Sequence, residues 1–308
     1  MKTAEAPVSE SKTRTLICDI QRFSIHDGPG IRTTVFFKGC PLRCLWCQNP
    51  ETLRFENELV FNPEKCIACG ECVKVCVNKA IKWDRAPVLV WQNCKSCFAC
   101  VEVCPSRARE PAGKEYSPEQ LAIELLKDRE FYIPEGGVTL SGGEPFSHVK
   151  YLLALLPILK KEKIHVAVET CGHFSWEAAQ PALDMIDLVL FDLKALNPEL
   201  HEKLTGKDNQ FILKNLRKLA ESKKSHLVRV PVIPGMNDSE IELAAMAKFL
   251  KEDLKESEVQ LLPYHRLGES KLKKLSTSQK SLGLSSMIEK DLQVKAEIFQ
   301  KITLKIII

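Results

Sequence analysis

The segment TTVFFKGCPLRCLWCQNPE, residues 33–51, joins an apolar stretch typical of a buried strand to three closely spaced cysteines. Cys40, Cys44 and Cys47 follow the pattern C-x3-C-x2-C. Three thiolates are one fewer than a tetrahedral metal site or the four irons of a cubane cluster require. An open coordination position on a metal is typical of a site that binds a substrate or cofactor. The segment therefore predicts a reactive metal centre, with a zinc site or a chance triple of cysteines as the alternative.

The size and composition of the chain limit its possible functions. Its 308 residues suffice for one large α/β domain, or for such a domain with a small added module. The net charge of +4 is too small to indicate a nucleic-acid partner. The first 14 residues are polar and are predicted to form a disordered tail rather than a signal peptide. Apolar runs are too short to cross a bilayer, so we expect a cytoplasmic protein with no membrane partner.

Cysteine is unusually frequent and unevenly placed. Eleven of the thirteen cysteines lie between Cys40 and Cys104, and the other two, Cys18 and Cys171, are predicted core thiols. Disulfides are rare in the reducing compartment that we expect for this protein. The clustering therefore indicates metal binding.

Two cysteine runs, residues 66–76 and 94–104, share the spacing C-x2-C-x2-C-x3-C, which is that of two-cluster bacterial ferredoxins. In those proteins the fourth cysteine of each run reaches across to the other cluster. The rule predicts one [4Fe–4S] cluster on Cys66, Cys69, Cys72 and Cys104, and another on Cys94, Cys97, Cys100 and Cys76. We therefore predict an inserted ferredoxin-like module over residues 58–108. Structural zinc, which usually takes two CxxC pairs per site, is the alternative.

From residue 117 onward, apolar segments alternate between helical and strand patterns. One helix begins after Ser117 with a capping box completed by Gln120. Repeated β/α units predict an α/β fold, a partial (β/α)6 TIM-type barrel over residues 15–57 and 109–308, with an open doubly wound sheet as the alternative. Polar residues end several predicted strands and would share one mouth of the barrel: Gly142–Glu144, Glu169, Thr170, Asp192, Lys194 and His265.

Longer segments match the motifs of a known enzyme family: SIHDGPGIRTTVFFKGCPLRCLWCQNPE (24–51), GGVTLSGGEP (136–145), VETCG (168–172), DLVLFDLK (187–194), VRVPVIPGMND (228–238) and LLPYHRLGESK (261–271). With these motifs the chain resembles radical S-adenosylmethionine (SAM) enzymes, and among them the activating enzymes of glycyl radical enzymes. The resemblance implies that SAM chelates the open iron of a [4Fe–4S] cluster on Cys40, Cys44 and Cys47. It also implies that reductive cleavage of SAM yields methionine and 5′-deoxyadenosine, with a hydrogen atom removed from a backbone glycine of a partner enzyme.

The same resemblance implies residues that contact SAM. Trp46 stands where the family places an aromatic side chain near the adenine, and Glu144 would face the ammonium group of the methionine end. Asp192, Lys194 and His265 would meet the amino and carboxylate groups. The full implied cofactor site is Trp46, Cys47, Gln48, Gly142, Gly143, Glu144, Asp192, Leu193, Lys194 and His265.

Other implied features concern ions and partners. A monovalent cation would lie near Glu169, Thr170 and Asp192, while Asp27 and Arg32 lie on the loop expected to face the glycine-bearing peptide. A flavodoxin or ferredoxin would donate the electron, and the inserted clusters are a candidate route for it. Two alternatives stay open from sequence: a radical enzyme acting on another substrate, and a ferredoxin-like electron carrier in which the barrel is a docking scaffold.

Overall fold

A computed structural model describes residues 13–254, 257–277, 279–301 and 306–307. The tail predicted over residues 1–14 lies outside these ranges except for its last two residues. Strand β1 (Thr15–Ser24) leads through a Gly-Pro-Gly loop into strand β2 (Arg32–Phe37). The two strands pair antiparallel, and β2 ends just before the three-cysteine segment. The cysteine loop therefore leaves the sheet at the carboxyl end of β2.

The cysteine-rich segment contains two copies of one backbone pattern. The first has β3 (Leu59–Phe61), helix α1 (Glu71–Lys74) and β4 (Ile81–Asp84); the second has β5 (Ala86–Leu89), α2 (Ala99–Glu102) and β6 (Arg109–Pro111). The second copy follows 28 positions after the first, as Cys66 and Cys94 illustrate. Left-handed backbone recurs at that offset in Ala68 and Ser96, Gly70 and Phe98, and Lys79 and Arg107. The two cysteine runs thus have the same local fold.

After β7 (Lys114–Tyr116), helices and strands alternate as the sequence predicts. The strands are β8 (Gly137–Gly142), β9 (Val166–Thr170), β10 (Leu188–Asp192), β11 (His226–Val232), β12 (Glu258–Pro263) and β13 (Ile306–Ile307). The helices are α3 (Pro118–Leu126), α4 (Val149–Lys161), α5 (Trp176–Met185), α6 (Pro198–Thr205), α7 (Gln210–Glu221), α8 (Glu240–Leu254), α9 (Glu269–Leu272) and α10 (Glu289–Gln300). The capping box at the start of α3 is confirmed, since the Ser117 hydroxyl and the Gln120 side chain each bond the other residue's backbone N–H.

One mostly parallel sheet organises the structure. Its order among the described strands is β13-β12-β11-β10-β9-β8-β2-β1-β7, in which β2 and β8–β13 pair parallel and β1 pairs antiparallel with both β2 and β7. The parallel strands keep chain order, as in a barrel, whereas a doubly wound sheet reverses its order at a switch point. In-register pairs such as Phe37 with Gly142 and Asp192 with Arg229 keep the carboxyl ends at one edge.

Helices cover this sheet through a continuous apolar core. Leu121 of α3, Leu155 of α4, Leu216 of α7 and Leu250 of α8 are all completely buried in it. Burying one such leucine contributes about 1.5–3 kcal/mol. The core therefore holds the strands firmly and fixes where their polar ends lie.

Candidate metal and cofactor site

A cavity of about 190 Å³ opens at the carboxyl edge of the parallel strands. All three cysteines of the opening motif line it. Most of the other site residues predicted from sequence, on the cysteine loop and at the strand ends, line it as well: Trp46, Gln48, Gly142, Gly143, Glu169, Thr170, Asp192, Lys194 and His265. Glu144 and Leu193 are absent from this lining within the described residues. The topology thus brings together residues that are more than two hundred positions apart in sequence.

Backbone bonds hold the three-cysteine loop in place. The Gly39 and Cys40 N–H groups donate to the carbonyls of Thr52 and Leu53 at 2.6 and 3.1 Å, and the Glu144 N–H donates to Gly39 at 2.8 Å. Burial raises the pKa of Cys44 to about 12 and also raises that of Cys47. Both side chains therefore favour the neutral thiol until a metal replaces the proton.

The two glycines that end β8 are required by the cysteine loop itself. Gly142 has a φ of +102°, and a Cβ there would lie 2.3 Å from the backbone nitrogen of Phe37. A Cβ on Gly143 would lie 2.2 Å from the Gly39 carbonyl oxygen. Any side chain would push β8 away from the loop, so the glycines set the close approach of the GGEP segment to the cysteines.

Glu144 does not take the position expected from sequence. It is completely buried, and its carboxylate accepts bonds from the Thr170 hydroxyl at 2.9 Å and from the Cys171 and Phe146 N–H groups at 2.8 and 3.1 Å. Burial raises its pKa. The side chain therefore fixes the end of β9 and does not face an ammonium in the cavity, which corrects the expectation.

Asp192 and Lys194 form an ion pair at the cavity wall, with Nζ to Oδ2 at 2.8 Å. Burial opposes the charge on Lys194, but the neighbouring Asp192 carboxylate outweighs it, and the pKa of the lysine is raised. The second oxygen, Oδ1 of Asp192, is buried and has no hydrogen-bond partner among the described residues. One carboxylate oxygen is thus available to a donor in the cavity.

The residues expected near a monovalent cation are close together but largely engaged. Glu169 accepts bonds from the Ser141 hydroxyl and from Arg229 Nη1, the latter at 2.8 Å. Thr170 directs its hydroxyl to Glu144. In the part of the chain that the structure describes, no three His, Cys, Asp or Glu side chains converge as ligands of a single ion. The cation stays a prediction.

Gln48 links the cysteine loop to the end of β12. Its Nε2 donates to the His265 carbonyl at 2.9 Å, and its Oε1 accepts from the Gly268 N–H at 2.9 Å. Burial lowers the pKa of His265, which favours its neutral form. Trp46 packs in an apolar cluster with Ile233 and Tyr264 beside the cavity. Leu193 is buried in the main core, so only its backbone is near the site.

Arg32 is the first residue of β2 and Asp27 lies in the loop before it; both are absent from the cavity lining within the described residues. Arg32 is completely buried, and its guanidinium donates to Thr139 Oγ1 at 2.6 Å and to the Val138 and Pro29 carbonyls at 2.7 and 3.0 Å. Asp27 accepts the Thr34 hydroxyl at 2.6 Å. The Arg32 side chain thus supports the loop from inside, and the contact of this loop with a glycine-bearing peptide stays a prediction.

The cysteine-rich segment of residues 58–108 has a cavity of its own, of about 20 Å³. Its lining includes Cys94, Cys97 and Cys100 of the second run together with Cys76 of the first. This grouping matches the crossed ligand set that the spacing predicts. Cys76 Sγ accepts the Ala80 N–H at 3.3 Å, and at the equivalent position Cys104 accepts backbone N–H groups that include those of Ala108 and Arg109.

Comparison with known proteins places the chain in a family. A model of the Radical SAM superfamily matches residues 34–247. The trans-4-hydroxy-L-proline dehydratase activating enzyme of Clostridioides difficile is 42% identical over 290 residues, covering 92% of this chain and 96% of that protein. The isethionate sulfite-lyase activating enzyme of Oleidesulfovibrio alaskensis is 43% identical over 271 residues, covering 85% and 87%. The chain belongs to the radical SAM superfamily, among the activating enzymes of glycyl radical enzymes.

The family membership confirms the resemblance seen in the sequence. As a radical SAM enzyme the protein uses SAM and a [4Fe–4S] cluster, so the alternative of a simple electron carrier is set aside. A structure of Streptococcus suis SuiB bound to precursor peptide SuiA matches with a TM-score of 0.51 at 15% identity, over 87% of this chain and 46% of that one, and shows a shared fold. Within the described residues, none of the helices has the length and apolar character needed to span a membrane.

The cavity of this radical SAM enzyme suits its cofactor in charge. SAM carries an ammonium and a carboxylate at its methionine end, and the cavity offers the unpaired Asp192 oxygen beside the Lys194 ammonium. A buried carboxylate oxygen without a partner is costly, and a bound ammonium group would satisfy it. The residues present therefore fit the cofactor.

Sequence reasoning missed the network that connects these residues. The Cys171 thiol hydrogen-bonds to Cys40, one of the three motif cysteines, and to Glu144. Cys171 was predicted to be a core thiol; it is buried, and it also lines the cavity. Its place directly after the strand-end pair Glu169–Thr170 is the one signal in the sequence that points to the site.

Proposed function

We propose that this protein activates a glycyl radical enzyme through SAM bound in the cavity at the carboxyl edge of the sheet. When bound, a reduced [4Fe–4S] cluster would supply one electron to SAM, and cleavage of the C5′–S bond would give methionine and a 5′-deoxyadenosyl radical able to take a hydrogen atom from a glycine Cα. The observation that carries the proposal is one cavity lined by all three thiols of the C-x3-C-x2-C motif and by the half-paired Asp192 carboxylate.

Each side chain of the cavity has a defined task in this proposal. Cys40, Cys44 and Cys47 hold three irons and leave the fourth to the amino and carboxylate groups of SAM. Asp192 Oδ1 accepts a hydrogen bond from the ammonium, and Lys194 neutralises the carboxylate. His265 assists Lys194, and Trp46 lies near the adenine, as the resemblance implies. The buried core behind these residues excludes water from the radical.

The partner loop must reach the same cavity. Glu169, which lines the cavity, pairs with Arg229 at 2.8 Å, and Arg229 Nε is buried without a partner among the described residues. A carbonyl of an entering glycine loop would satisfy that donor. Asp27 remains a candidate contact on the 24–32 loop, whereas Arg32 positions that loop from within. A monovalent cation at Glu169, Thr170 and Asp192 stays part of the proposal, with Glu169 shared between it and Arg229.

We propose two further [4Fe–4S] clusters in a ferredoxin-like domain over residues 58–108, inserted in the barrel domain of residues 15–57 and 109–308. Three observations support it: the repeated backbone, the crossed grouping of Cys76 with the second run, and backbone N–H groups on Cys76 and Cys104. Hydrogen bonds to thiolates are typical of iron–sulfur sites. Electrons from a cytoplasmic flavodoxin or ferredoxin would pass through these clusters.

The relatives indicate the kind of partner. Curated relatives at 37 to 43% identity include activating enzymes for a hydroxyproline dehydratase, an isethionate sulfite-lyase, a choline trimethylamine-lyase and a sulfopropanediol dehydratase. We therefore propose a partner among glycyl radical dehydratases and lyases that cleave C–O, C–S or C–N bonds.

The test begins with anaerobically reconstituted protein reduced in an EPR tube. We expect SAM to change the EPR signal of the barrel cluster, and turnover to release 5′-deoxyadenosine and produce a glycyl radical signal in a co-incubated partner. A reduced cluster that does not respond to SAM would reject the proposal. Release of 5′-deoxyadenosine with no glycyl radical in any dehydratase or lyase partner would favour the other candidate, a radical enzyme acting on a different substrate.

A further inference from the structure

Arg109 is a buried cation with unsatisfied donors. It is 2% exposed, and its Nη1 and Nη2 atoms have no hydrogen-bond acceptor among the described residues. Its guanidinium carbon lies 4.2 Å from the centre of the Phe61 ring, which contacts one face only. A buried guanidinium without hydrogen bonds is strongly unfavourable. An anionic group that accepts from these two nitrogens would resolve the cost.

The surroundings of Arg109 point to the nature of that anion. Arg109 begins strand β6 five residues after Cys104, and β6 packs against helix α2, which carries Cys100. Both cysteines are proposed cluster ligands. A [4Fe–4S] cluster with four thiolates is anionic, and its sulfurs accept hydrogen bonds. It supplies the charge and the acceptors that the Arg109 side chain lacks.

The internal repeat identifies which cluster it is. Arg109 lies five residues after Cys104, the last cysteine of the second run. Ile81 lies five residues after Cys76, the last cysteine of the first run, 28 positions earlier. Ile81 lines the cavity of Cys76, Cys94, Cys97 and Cys100. By the same relationship, Arg109 lies beside the crossed set of Cys66, Cys69, Cys72 and Cys104. The two otherwise equivalent halves thus differ in charge at one buried position.

We propose that Arg109 makes the cluster on Cys66, Cys69, Cys72 and Cys104 easier to reduce than the cluster beside Ile81. The inference rests on the two inserted clusters of the proposed function. Reduction adds one negative charge to a cluster, and a buried guanidinium stabilises that charge while a buried isoleucine does not. Arg109 is therefore a positioning residue: its charge sets which of the two clusters takes up an electron first.

The test is an EPR-monitored redox titration of the anaerobic holoenzyme and three variants. Arg109→Met removes the charge at similar length, Arg109→Lys keeps it, and Lys82→Met removes an exposed charge from β4, the equivalent strand of the first half, as a control. We expect Arg109→Met to make one midpoint potential more negative. The equilibrium constant for reduction of that cluster should fall about tenfold, which corresponds to about 59 mV for a one-electron couple. Arg109→Lys should restore most of the shift, and Lys82→Met should give wild-type potentials.

Two checks keep the result interpretable. The EPR signal whose potential shifts should be the one lost in Cys69→Ala. A shift of the signal lost in Cys97→Ala would overturn the placement of Arg109 beside the first cluster. Unchanged potentials in Arg109→Met would overturn the inference. If Arg109→Met loses iron, Arg109→Gln takes its place with the same expectation. SAM cleavage with a chemical reductant is measured in parallel. Normal cleavage with no shift in potential rejects only the role of Arg109. Absent cleavage in the wild type rejects the proposed function.

Discussion

The two oxygens of the Asp192 carboxylate differ in their hydrogen bonding. Oδ2 accepts from the Lys194 ammonium at 2.8 Å, while Oδ1 is buried and unpaired among the described residues. Asp192 is the last residue of strand β10 and Lys194 follows two positions later, so the sheet fixes their separation. A pair that is satisfied on one side only is prepared for a ligand that brings its own ammonium and carboxylate.

We predict that Asp192→Asn weakens SAM binding at least tenfold, because the amide removes the negative charge that faces the ammonium and loosens Lys194. The measurement is the concentration of SAM that half-completes the change in the EPR signal of the reduced barrel cluster. Asp184→Asn, which removes an exposed carboxylate near the end of α5, is the matched control. Equal SAM affinity in Asp192→Asn and the control would show that Asp192 does not bind the ammonium.

The two glycines Gly142 and Gly235 make a second comparison, since both have positive φ values. We predict that Gly142→Ala lowers the free energy of unfolding by about 3 kcal/mol or more, because left-handed strain adds to a clash with the Phe37 backbone. Gly235→Ala should lose only about 1 kcal/mol, since a Cβ there meets no atom within 4 Å. Anaerobic urea unfolding followed by tryptophan fluorescence measures both. Similar losses in the two variants would contradict the close approach of β8 to the cysteine loop.

Much of the fold followed from short-range signals in the sequence. The capping box of Ser117 and Gln120, the apolar strands and the alternation after residue 117 depend on neighbours within one turn or one strand, and the structure has all of them. The motif cysteines and strand-end residues also meet as predicted, because parallel strands put their carboxyl ends at one edge.

What the sequence did not reveal depends on contacts between distant segments. The Gln48 side chain reaches Gly268, 220 positions away, and no local pattern predicts that bond. Glu144 lies in a motif that suggests a ligand, yet tertiary packing turns its carboxylate toward Thr170. Arg32 likewise reads as a loop residue but is buried by β8. Glu144 and Arg32 each lie beside a glycine-containing turn and are satisfied by backbone and side-chain groups of a neighbouring strand.

The crossed ligand sets allow a third prediction. We expect Cys76→Ala to remove the cluster of Cys94, Cys97 and Cys100, although those cysteines belong to the other run, and to lower iron from about twelve to about eight atoms per chain. Iron and sulfide analysis with the EPR spectrum of the reduced protein measures this. Cys171→Ala, which leaves all eleven proposed ligands in place, should keep the full iron content. Loss of the signal that also disappears in Cys69→Ala would show instead that each run binds its own cluster.

Cys18 offers a pH-dependent prediction away from the clusters. Burial raises its pKa from 9.0 to about 12, and its thiol lies 3.5 Å from the Glu51 carbonyl oxygen as a donor. The folded state therefore holds this proton more tightly than the unfolded chain, so the contribution to stability is complete below pH 9 and falls as the pH rises from 9 toward 12. At pH 9 we expect iodoacetamide to alkylate Cys18 at least a hundredfold more slowly in the anaerobic holoenzyme than in urea, measured by mass spectrometry of the Cys18 peptide. Cys18→Ala should remove the corresponding alkaline loss of stability, and comparable alkylation rates in the folded and unfolded protein would mean that the thiol is neither buried nor held as a donor.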